Sequence, residues 1–264
     1  MNWFTVMLCI ALFVSAVGFY KYVYFISLGY GFSIAAIGIV SFIIFRDSID
    51  ALGIILCLLL FLYGNRLSGY LLIRELKSNS YNNKMKGEIS DGKNMKLLVK
   101  LAIWITCALL YACQTAPVYF RLNEDKDAPV SLIIGILVMA FGAIFESIAD
   151  IQKNNAKKIA PNTFVRTGLF KFVRCPNYLG EMIFWTGVLI SGFGAFDSIV
   201  GWVLSILGYL GIIYVMFSGA RRLEIRQNKH YGDDPEYQEY VKTTPIMVPF
   251  IPLYSVEKHR WLVG

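Results

Sequence analysis

The sequence predicts an all-α integral membrane protein, built as a bundle of six or seven transmembrane helices. Of its 264 residues, 56% are hydrophobic and only 16% are charged, whereas a soluble domain carries about a quarter charged residues. Uncharged runs close to the length that a bilayer core requires, about 20 residues per helix, recur along the chain. Basic residues are concentrated between some of these runs and not others, which indicates a defined orientation in the membrane.

Five uncharged runs predict transmembrane helices at residues 3–20, 22–45, 101–120, 128–145 and 198–220. Two further segments are shorter. The segment 51–64 is long enough if its helix continues through Arg66 to residue 73, and the segment 182–196 is long enough if Glu181 lies inside the membrane. The first run lacks a basic amino-terminal region and other apolar runs follow it, so we expect a membrane helix there and not a secretory signal.

The basic residues predict the topology. All but three of the 25 Lys and Arg residues lie at Lys21, within 66–100, within 149–177 or after residue 219; the exceptions are Arg46, Arg121 and Lys126, in the remaining loops. The three large basic segments fall on one side of the predicted bundle, and the positive-inside rule makes that side cytoplasmic. We therefore expect segments 76–96, 149–177 and 219–264 in the cytoplasm, with either a bacterial inner membrane or the endoplasmic reticulum as the host membrane.

Composition also excludes some classes of partner. The net charge of +7 is spread over loops that flank the membrane, so it indicates contact with lipid headgroups and not with nucleic acid. The five cysteines are scattered without a CxxC pair, and the only histidines are His230 and His259. A zinc or iron site made of Cys and His is therefore not expected.

The polar segments differ in character. Residues 76–96 are rich in Asn, Lys, Ser and Gly and predict a flexible loop. Segment 149–177 and the tail from Arg221 mix aromatic and apolar residues with basic ones, which indicates ordered structure at the membrane surface. A cofactor with phosphates has to bind at such a surface, because its charges cannot enter lipid. We divide the chain into amino-terminal membrane helices, 1–60, and a catalytic region, 61–264.

Asn177 and Glu181 are the first candidate pair for a functional site. They are four residues apart, so they share one face of a helix. A carboxamide and a carboxylate together suit the binding of another carboxamide, such as that of nicotinamide. The alternative is structural, since Asn177 follows Pro176 and has the right side chain to cap the next membrane helix.

Glu146 and Asp150 form a second pair with the same spacing, followed by Asn154 and Lys157. Carboxylates accept hydrogen bonds from ribose hydroxyls, and lysines bind phosphate. The alternative is a solvated helix end in which Asp150 pairs with Lys153 or Lys157.

A third group places Tyr63, Arg66, Tyr70 and Arg74 along one helical stripe. Arginine binds phosphate in a bidentate manner, and tyrosine donates to carbonyl oxygens. The alternative is a belt of aromatic and basic residues at the membrane interface.

The tail after the last apolar run supplies a fourth group: Arg221, Arg222, Arg226, His230, Tyr231, Tyr237 and Tyr240. Basic residues commonly follow a final span, so a structural role is again an alternative. The chain has no GxGxxG, Walker or GxSxG motif, so a nucleotide would not bind through a Rossmann unit.

The segment FESIADIQKNNAKK, continued by VRTGLFKFVRCPNYLGEMIFW, resembles the DUF1295 membrane proteins of the steroid 5-alpha-reductase group. Their pattern is Glu-x3-Asp-x-Gln-Lys, then Gly-Leu-aromatic-x3-Arg-His-Pro-Asn-Tyr-x-Gly-Glu. YGNRLSGYLLIR is similar to the upstream helix of that family, and EYQEYVKTTPIMVPFIP is similar to its tail. The resemblance covers about residues 60–252.

The resemblance implies an NADPH-dependent reductase with cofactor-binding cytoplasmic loops. Asn177 and Glu181 would hold the nicotinamide, and Tyr63 would be the catalytic donor to the carbonyl oxygen of the substrate. The remaining cofactor-binding residues would be Arg66, Arg74, Asp150, Lys157, Arg174, Arg222, Arg226, His230 and Tyr231. NADPH is expected in preference to NADH, because basic residues near 150–174 and in the tail suit its extra phosphate.

The sequence departs from the family pattern in two features. Cys175 stands where the family has His, and a thiol is smaller and a weaker hydrogen bonder. Residues 1–62 contain no Glu, whereas steroid reductases pair the tyrosine with an upstream glutamate. We therefore expect a lipid-like substrate with an electron-poor C=C bond, such as a sterol, enone or enoyl compound, without a specific claim for steroids.

Two other functions fit parts of the sequence. Isoprenylcysteine carboxyl methyltransferases, which use S-adenosylmethionine, are similar in the Arg-x-Pro-x-Tyr-x-Gly segment. Their tails carry adjacent glutamates, whereas this tail has the single Glu224 in RRLEIR. The third possibility is a scaffold or lipid-binding membrane protein that kept the fold and lost catalysis.

Overall fold

The computed structural model describes residues 3–77, 95–123 and 130–263. All regular secondary structure in these ranges is helical, which confirms the all-α fold. The α-helices described are α1 (Trp3–Ser15), α2 (Leu28–Phe45), α3 (Ala51–Lys77), α4 (Leu97–Asn123), α5 (Val130–Ile159), α6 (Pro176–Ser191), α7 (Ile199–Tyr231) and α8 (Pro235–Thr243). Short 3₁₀-helices occupy Ala16–Phe19, Tyr22–Phe25 and Gly168–Lys171. Most of the expected flexible loop 76–96 lies outside the described residues.

Five segments are long and apolar enough to cross a membrane: Tyr22–Phe45, Ala51–Ile73, Leu97–Asn123, Val130–Ile159 and Ile199–Tyr231. The chain is therefore a multi-pass integral membrane protein, as its composition predicts. Helix α3 continues through Arg66, so the longer of the two alternatives for this segment is correct. The segment Phe4–Phe19 and helix α6 are shorter, and their crossing of the membrane stays a prediction.

Helix α5 shows the exposed apolar surface that a membrane helix needs. Phe141, Ile144, Ile148 and Ile151 are three or four residues apart, so they lie on one face, and each is exposed. In water such a stripe would be unfavourable, but in a bilayer it faces lipid chains that are equally apolar.

Packing divides the chain into two compact units. The first unit contains Met1–Ile136 and Val188–Tyr209, and the second contains Leu137–Gly187 and Leu210–Gly264. This division reflects which residues pack together and does not test a division by function. The expected functional boundary near residue 60 stays a prediction.

Close contact between α2 and α3 organises the first unit. A Cβ atom added at Gly64 would lie 2.2 Å from the carbonyl oxygen of Gly31, and one at Gly38 would lie 2.8 Å from that of Cys57. The two helices are therefore antiparallel, with small residues at the interface, as is common in membranes. Ser68 Oγ donates to the carbonyl oxygen of Leu28 at 3.0 Å and links the helices further.

Helix α4 packs against α2 and against the start of α7. The Tyr111 hydroxyl donates to the carbonyl oxygen of Phe25 at 2.7 Å, and the Tyr111 ring lies 5.2 Å from that of Tyr30. On the α7 side, a Cβ atom at Gly208 would lie 2.3 Å from the carbonyl carbon of Cys113. Residues 97–123 are thus held on two sides within the first unit.

Arg121 differs from its predicted place in a loop, because it lies in the last turn of α4 and is buried. Its Nε donates to the carbonyl oxygen of Ser191 at 2.8 Å, and its Nη2 donates to that of Phe193 and to Ser131 Oγ. The Ser191 carbonyl belongs to the last residue of α6 and the Phe193 carbonyl follows it, where the helix no longer supplies donors. The arginine therefore stabilises a helix terminus.

In the second unit, α5 and α6 approach closely at two glycines. A Cβ atom at Gly142 would lie 2.4 Å from the backbone nitrogen of Phe184, and one at Gly180 would lie 2.7 Å from that of Glu146. Helix α8 begins at Pro235 and is capped by Asp234. Segment 149–177 and the tail are thus ordered, as their composition predicts.

Candidate cofactor site

Asn177 lies in the first turn of α6, with an unusual environment for its side chain. The carbonyl oxygen of Cys175 accepts the first helical hydrogen bond, from Leu179 N at 3.1 Å, so Cys175 occupies the cap position. The Oδ1 atom of Asn177 is buried and has no hydrogen-bond partner among the described residues. Asn177 therefore does not cap the helix, and its amide oxygen is left for another donor.

Glu181 lies one turn further along α6 and is 5% exposed. Between the two residues, Tyr178 packs against α7, where its hydroxyl lies 3.4 Å from the position of a Cβ atom at Gly219. Burial raises the pKa of Tyr178 to about 12, with opposing effects of Arg222 and Glu181. Tyr178 therefore keeps its proton at neutral pH, close to a buried carboxylate and to cations of α7.

Arg174 forms a buried ion pair that sequence reasoning missed. Its Nη2 donates to Glu224 Oε1 at 2.7 Å, and the two side chains are 1% and 0% exposed. Nη2 also donates to the carbonyl oxygen of Tyr254, while Glu224 Oε2 accepts from Val256 N at 2.8 Å. The ion pair thus attaches the carboxyl tail to the segment that precedes α6.

Only part of the Arg174 guanidinium is used in these contacts. Its Nε and Nη1 atoms are buried and have no partner in the part of the chain that the structure describes. Backbone bonds add to the attachment, because Arg174 N donates to the Pro245 carbonyl and Cys175 N to the Ile246 carbonyl, both at 2.9 Å. Direct binding of a cofactor by Arg174 stays a prediction.

Cys175, the position that departs from the family pattern, is buried beside this ion pair. Burial raises the pKa of its thiol to about 11, against the opposing effect of Lys153 and Arg174. The thiol is therefore protonated and uncharged at neutral pH. It places no additional charge beside Arg174.

Lys157 and Tyr231 contact each other, and Lys157 also contacts the loop that follows α5. Lys157 Nζ donates to the Tyr231 hydroxyl at 3.1 Å, to the Pro161 carbonyl at 3.3 Å and to the Thr163 carbonyl. The Tyr231 ring lies 5.9 Å from that of Phe164. These contacts connect the end of α5 with the end of α7, so phosphate binding by Lys157 would compete with them.

The Gln and Gly of the recognised motif have a structural role. Gln152 Oε1 accepts from Leu169 N at 2.8 Å. Gly168 has φ of +62°, and a Cβ atom there would lie 2.3 Å from the same oxygen. A glycine is required at this position because other residues rarely adopt that φ and would displace Gln152.

The other predicted residues are distributed over both units. Asp150 is half-buried on α5, while Arg222, Arg226 and His230 are exposed at four-residue intervals on one face of α7. In the first unit, the Arg66 guanidinium lies 5.8 Å from the centroid of the buried Tyr63 ring. Arg74 lies in α3, but its side chain is outside the described part of the structure.

In the second unit, Asn177, Tyr178 and Glu181 thus lie within the first two turns of α6, directly after Arg174 and Cys175, and Arg222 and Arg226 of α7 act electrostatically on Tyr178. The structure pairs Lys157 with Tyr231 separately, and it pairs Tyr63 with Arg66 in the first unit. Glu224 and Tyr178 are the functional candidates that sequence reasoning passed over, although both lie inside segments that resemble the family.

Residues 15–244 match the profile of DUF1295, which is described as a protein family of unknown function. The chain belongs to the DUF1295 family. The match begins well before residue 60, where the resemblance of the motifs starts.

Curated relatives agree with this assignment of a DUF1295 protein to the steroid 5-alpha-reductase-like group. A very-long-chain enoyl-CoA reductase of Dictyostelium discoideum is 27% identical over 150 residues, 55% of this chain and 45% of its own. A 3-oxo-5-alpha-steroid 4-dehydrogenase 1 of Bos taurus is 25% identical over 167 residues, 62% of this chain and 60% of its own. Steroid 5-alpha-reductase DET2 of Arabidopsis thaliana is 25% identical over 122 residues, 45% of this chain and 41% of its own.

The DUF1295 chain thus spans about half the length of the curated relatives that it matches. No solved structure matches it significantly. The relatives support the family assignment, and the activity of this chain is a separate question.

Proposed function

We propose that this protein is an NADPH-dependent membrane reductase that saturates an electron-poor C=C bond of a lipid-like substrate. The names of its relatives describe a very-long-chain enoyl-CoA reductase, a 3-oxo-5-alpha-steroid 4-dehydrogenase and a steroid 5-alpha-reductase. An enoyl thioester carries a C=C bond beside a carbonyl group, and a 3-oxo-steroid carries a carbonyl group. The apolar helices agree with a substrate that reaches the protein from the bilayer.

The observation that carries the proposal is the pair formed by Asn177 and Glu181. Nicotinamide ends in a carboxamide, which has two N–H donors and one oxygen acceptor. Asn177 Oδ1 is buried without a partner among the described residues, so it suits one of these donors, and the buried carboxylate of Glu181 suits the other. S-adenosylmethionine has no carboxamide, so the same pair gives a methyltransferase no comparable contact.

The phosphate end of NADPH needs cations that remain accessible. Arg222 and Arg226 fulfil this condition, because they are exposed and lie on one face of α7, and His230 is exposed further along that face, where its ring can donate a hydrogen bond. We assign them to the phosphates of NADPH, which include the 2′-phosphate that distinguishes it from NADH, and we assign Asp150 to the adenosine end. Arg66 and Arg74 keep their proposed phosphate contacts, and Lys157 would have to exchange its carbonyl partners for a phosphate.

Bound NADPH would supply a hydride to the β carbon of the conjugated alkene. Tyr63 would donate a hydrogen bond from its hydroxyl to the carbonyl oxygen of the substrate and stabilise the negative charge that develops there. Its burial favours this role, because a donor that is shielded from water interacts more strongly with developing charge. A proton then has to reach the α carbon.

Thermal unfolding of the purified full chain in one detergent tests the cofactor. A ligand at about 100 times its Kd stabilises the folded state by about 2.7 kcal/mol. We expect NADPH to raise the melting temperature more than NADH does, and S-adenosylmethionine to have no effect. Stabilisation by S-adenosylmethionine alone would support the methyltransferase alternative. If none of the three ligands stabilises the protein, the result would support a scaffold or lipid-binding protein without catalysis.

Glu181→Gln tests the site. The substitution keeps the shape of the side chain and removes a charge-assisted hydrogen bond, worth about 1.5–3 kcal/mol, so NADPH affinity should fall roughly ten- to a hundredfold. Glu239→Gln is the control, because Glu239 is exposed on α8 and has no proposed role. Unchanged NADPH titrations and turnover in Glu181→Gln would show that this carboxylate is structural.

A further inference from the structure

The first unit buries polar side chains in the middle of its membrane helices. Gln114 on α4 is 2% exposed, and neither its amide nitrogen nor its amide oxygen has a partner among the described residues. Ser33 on α2 is fully buried, and its hydroxyl also has no hydrogen-bond partner among the described residues. A buried hydroxyl in a helix can donate to the carbonyl four residues earlier, as Ser15 does at 2.6 Å and Thr115 at 2.9 Å. Unpaired polar groups inside a membrane are costly unless they serve a ligand.

Gln114 and Ser33 lie at the same depth. Helix α3 runs antiparallel to α2, and its start lies beside the end of α4, because a Cβ atom at Gly53 would lie 2.9 Å from Leu122 Cδ2. Helices α2 and α4 therefore run in the same direction. The rings of Tyr30 on α2 and Tyr111 on α4 pack at 5.2 Å. Ser33 and Gln114 each follow these tyrosines by three residues, which corresponds to a rise of about 4.5 Å on both helices.

Tyr63 lies at this depth as well. Its neighbour Gly64 packs directly on Gly31 of α2, so Tyr63 is level with the turn of α2 that contains Ser33. Its side chain is also buried. Three helices of the first unit therefore each contribute one buried, uncharged hydrogen-bonding side chain near the middle of the bundle.

We propose that Ser33 and Gln114 bind the carbonyl group of the lipid-like substrate at the depth of Tyr63, an inference that rests on the reductase function proposed above. The Ser33 hydroxyl and the Gln114 amide N–H are donors, as a carbonyl oxygen requires. The hydroxyl, the amide and the phenol are all neutral, so these three side chains match a ketone, ester or thioester. A carboxylate would need a counter-ion, for which the Arg66 guanidinium, 5.8 Å from the Tyr63 ring, is the neighbouring candidate. Gln114 also supplies an acceptor for a neighbouring substrate hydroxyl.

The same helix offers a matched control in Ser41. Its hydroxyl is buried and also has no partner among the described residues. It lies eight residues beyond Ser33 on α2, which places it about 12 Å further along the helix. Ser33→Ala and Ser41→Ala therefore remove the same chemical group at two depths.

Binding is measured on the purified full chain without any nucleotide. The probes are a long-chain α,β-unsaturated ketone, an alkene of equal chain length without the carbonyl, and the corresponding carboxylic acid. We expect the wild type to bind the ketone about tenfold more tightly than the alkene, as one or two hydrogen bonds would give. Gln114→Leu should abolish this preference, Ser33→Ala should reduce it several-fold, and Ser41→Ala should leave it unchanged.

Three results would overturn the inference: a preference that survives in Gln114→Leu, equal effects of the two serine variants, or tighter binding of the acid, which would indicate recognition by Arg66. If Gln114→Leu does not fold, the two serine variants and the binding of the three probes to the wild type still test the inference. Reductase assays separate the two proposals. If the wild type prefers the ketone but does not oxidise NADPH with it, the proposed reductase function is contradicted and the proposed carbonyl-binding site is supported. If the KM for the ketone is equal in the wild type and in Gln114→Leu, only the carbonyl-binding site is contradicted.

Discussion

Glu224→Gln should destabilise the second unit far more than an equivalent change at the surface. Glutamine keeps the size of the side chain and can still accept from Val256 N. It removes the negative charge opposite Arg174, whose side chain is 1% exposed. The remaining acceptor for that guanidinium group is the carbonyl oxygen of Tyr254, which neutralises no charge.

The magnitude follows from burial. Removing one partner of a buried ion pair costs about 3–5 kcal/mol, because the other charge stays buried without compensation. The same structure contains a pair of equal length, Arg166 with Glu236 at 2.7 Å, whose side chains are 48% and 66% exposed. Solvent screens such a pair, so Glu236→Gln should cost at most about 1 kcal/mol.

Cys175 provides a local assay. Its thiol is buried and adjoins Arg174, so it reacts with a maleimide only when the tail detaches from the segment before α6. In a variant that keeps Cys175 as its sole cysteine, the wild-type background should label slowly. A loss of about 3 kcal/mol raises the opening equilibrium, and hence labelling, roughly a hundredfold.

Three outcomes are expected together. Glu224→Gln labels about a hundredfold faster, Glu236→Gln labels at nearly the wild-type rate, and the double variant Arg174→Met with Glu224→Leu recovers much of the protection. Equal labelling rates for Glu224→Gln and Glu236→Gln would refute the reasoning, since burial would then have no effect on the energy of the pair.

Three further predictions concern backbone space and pH. Gly168→Ala should cost about 1–3 kcal/mol in thermal unfolding, because the residue has φ of +62° and its Cβ would collide with Gln152. Gly64→Ala should lower the melting temperature by separating α3 from α2, at a cost of about 1–3 kcal/mol, whereas Gly69→Ala, with open space at its Cβ, should have little effect. Burial raises the pKa of Cys175 from 9.0 to about 11, so its contribution to stability is complete below pH 9 and is lost as the pH rises through 11; Cys175→Ala should make melting temperatures fall less steeply over that range.

Helix type and placement could be predicted because they depend on long apolar runs. The length of α3 was an alternative in the sequence, since one arginine interrupts its apolar pattern, and the structure resolves it in favour of the long helix. The run at 3–20 was expected as one helix, but α1 ends at Ser15 and continues in 3₁₀ geometry. Local composition does not encode such a change, which depends on contacts such as that between Gly18 and Phe25.

The site was less predictable because its contacts join distant positions. Glu224 lies fifty residues from Arg174 along the chain, and a single glutamate among basic residues gives no motif. The sequence offered Lys157 either a phosphate or Asp150 as its partner, yet in the structure it donates to Tyr231, which is 74 residues away. Gln114 could not be recognised from the sequence for another reason, because a single amide side chain inside an apolar run hardly changes the mean hydropathy of that run.

The backbone contacts at Cys175 bear on the choice between enzyme and scaffold. Cys175 N donates to the carbonyl of Ile246, and its own carbonyl begins α6 by accepting from Leu179 N. Both bonds use backbone atoms, so they form whether the side chain is a thiol or the imidazole of the family. The side chain is buried and neutral, and it adds no charge beside Arg174. The two backbone bonds that begin α6, the helix of Asn177 and Glu181, therefore do not depend on the side chain at position 175, and the neutral thiol gives no physical reason to infer a loss of catalysis.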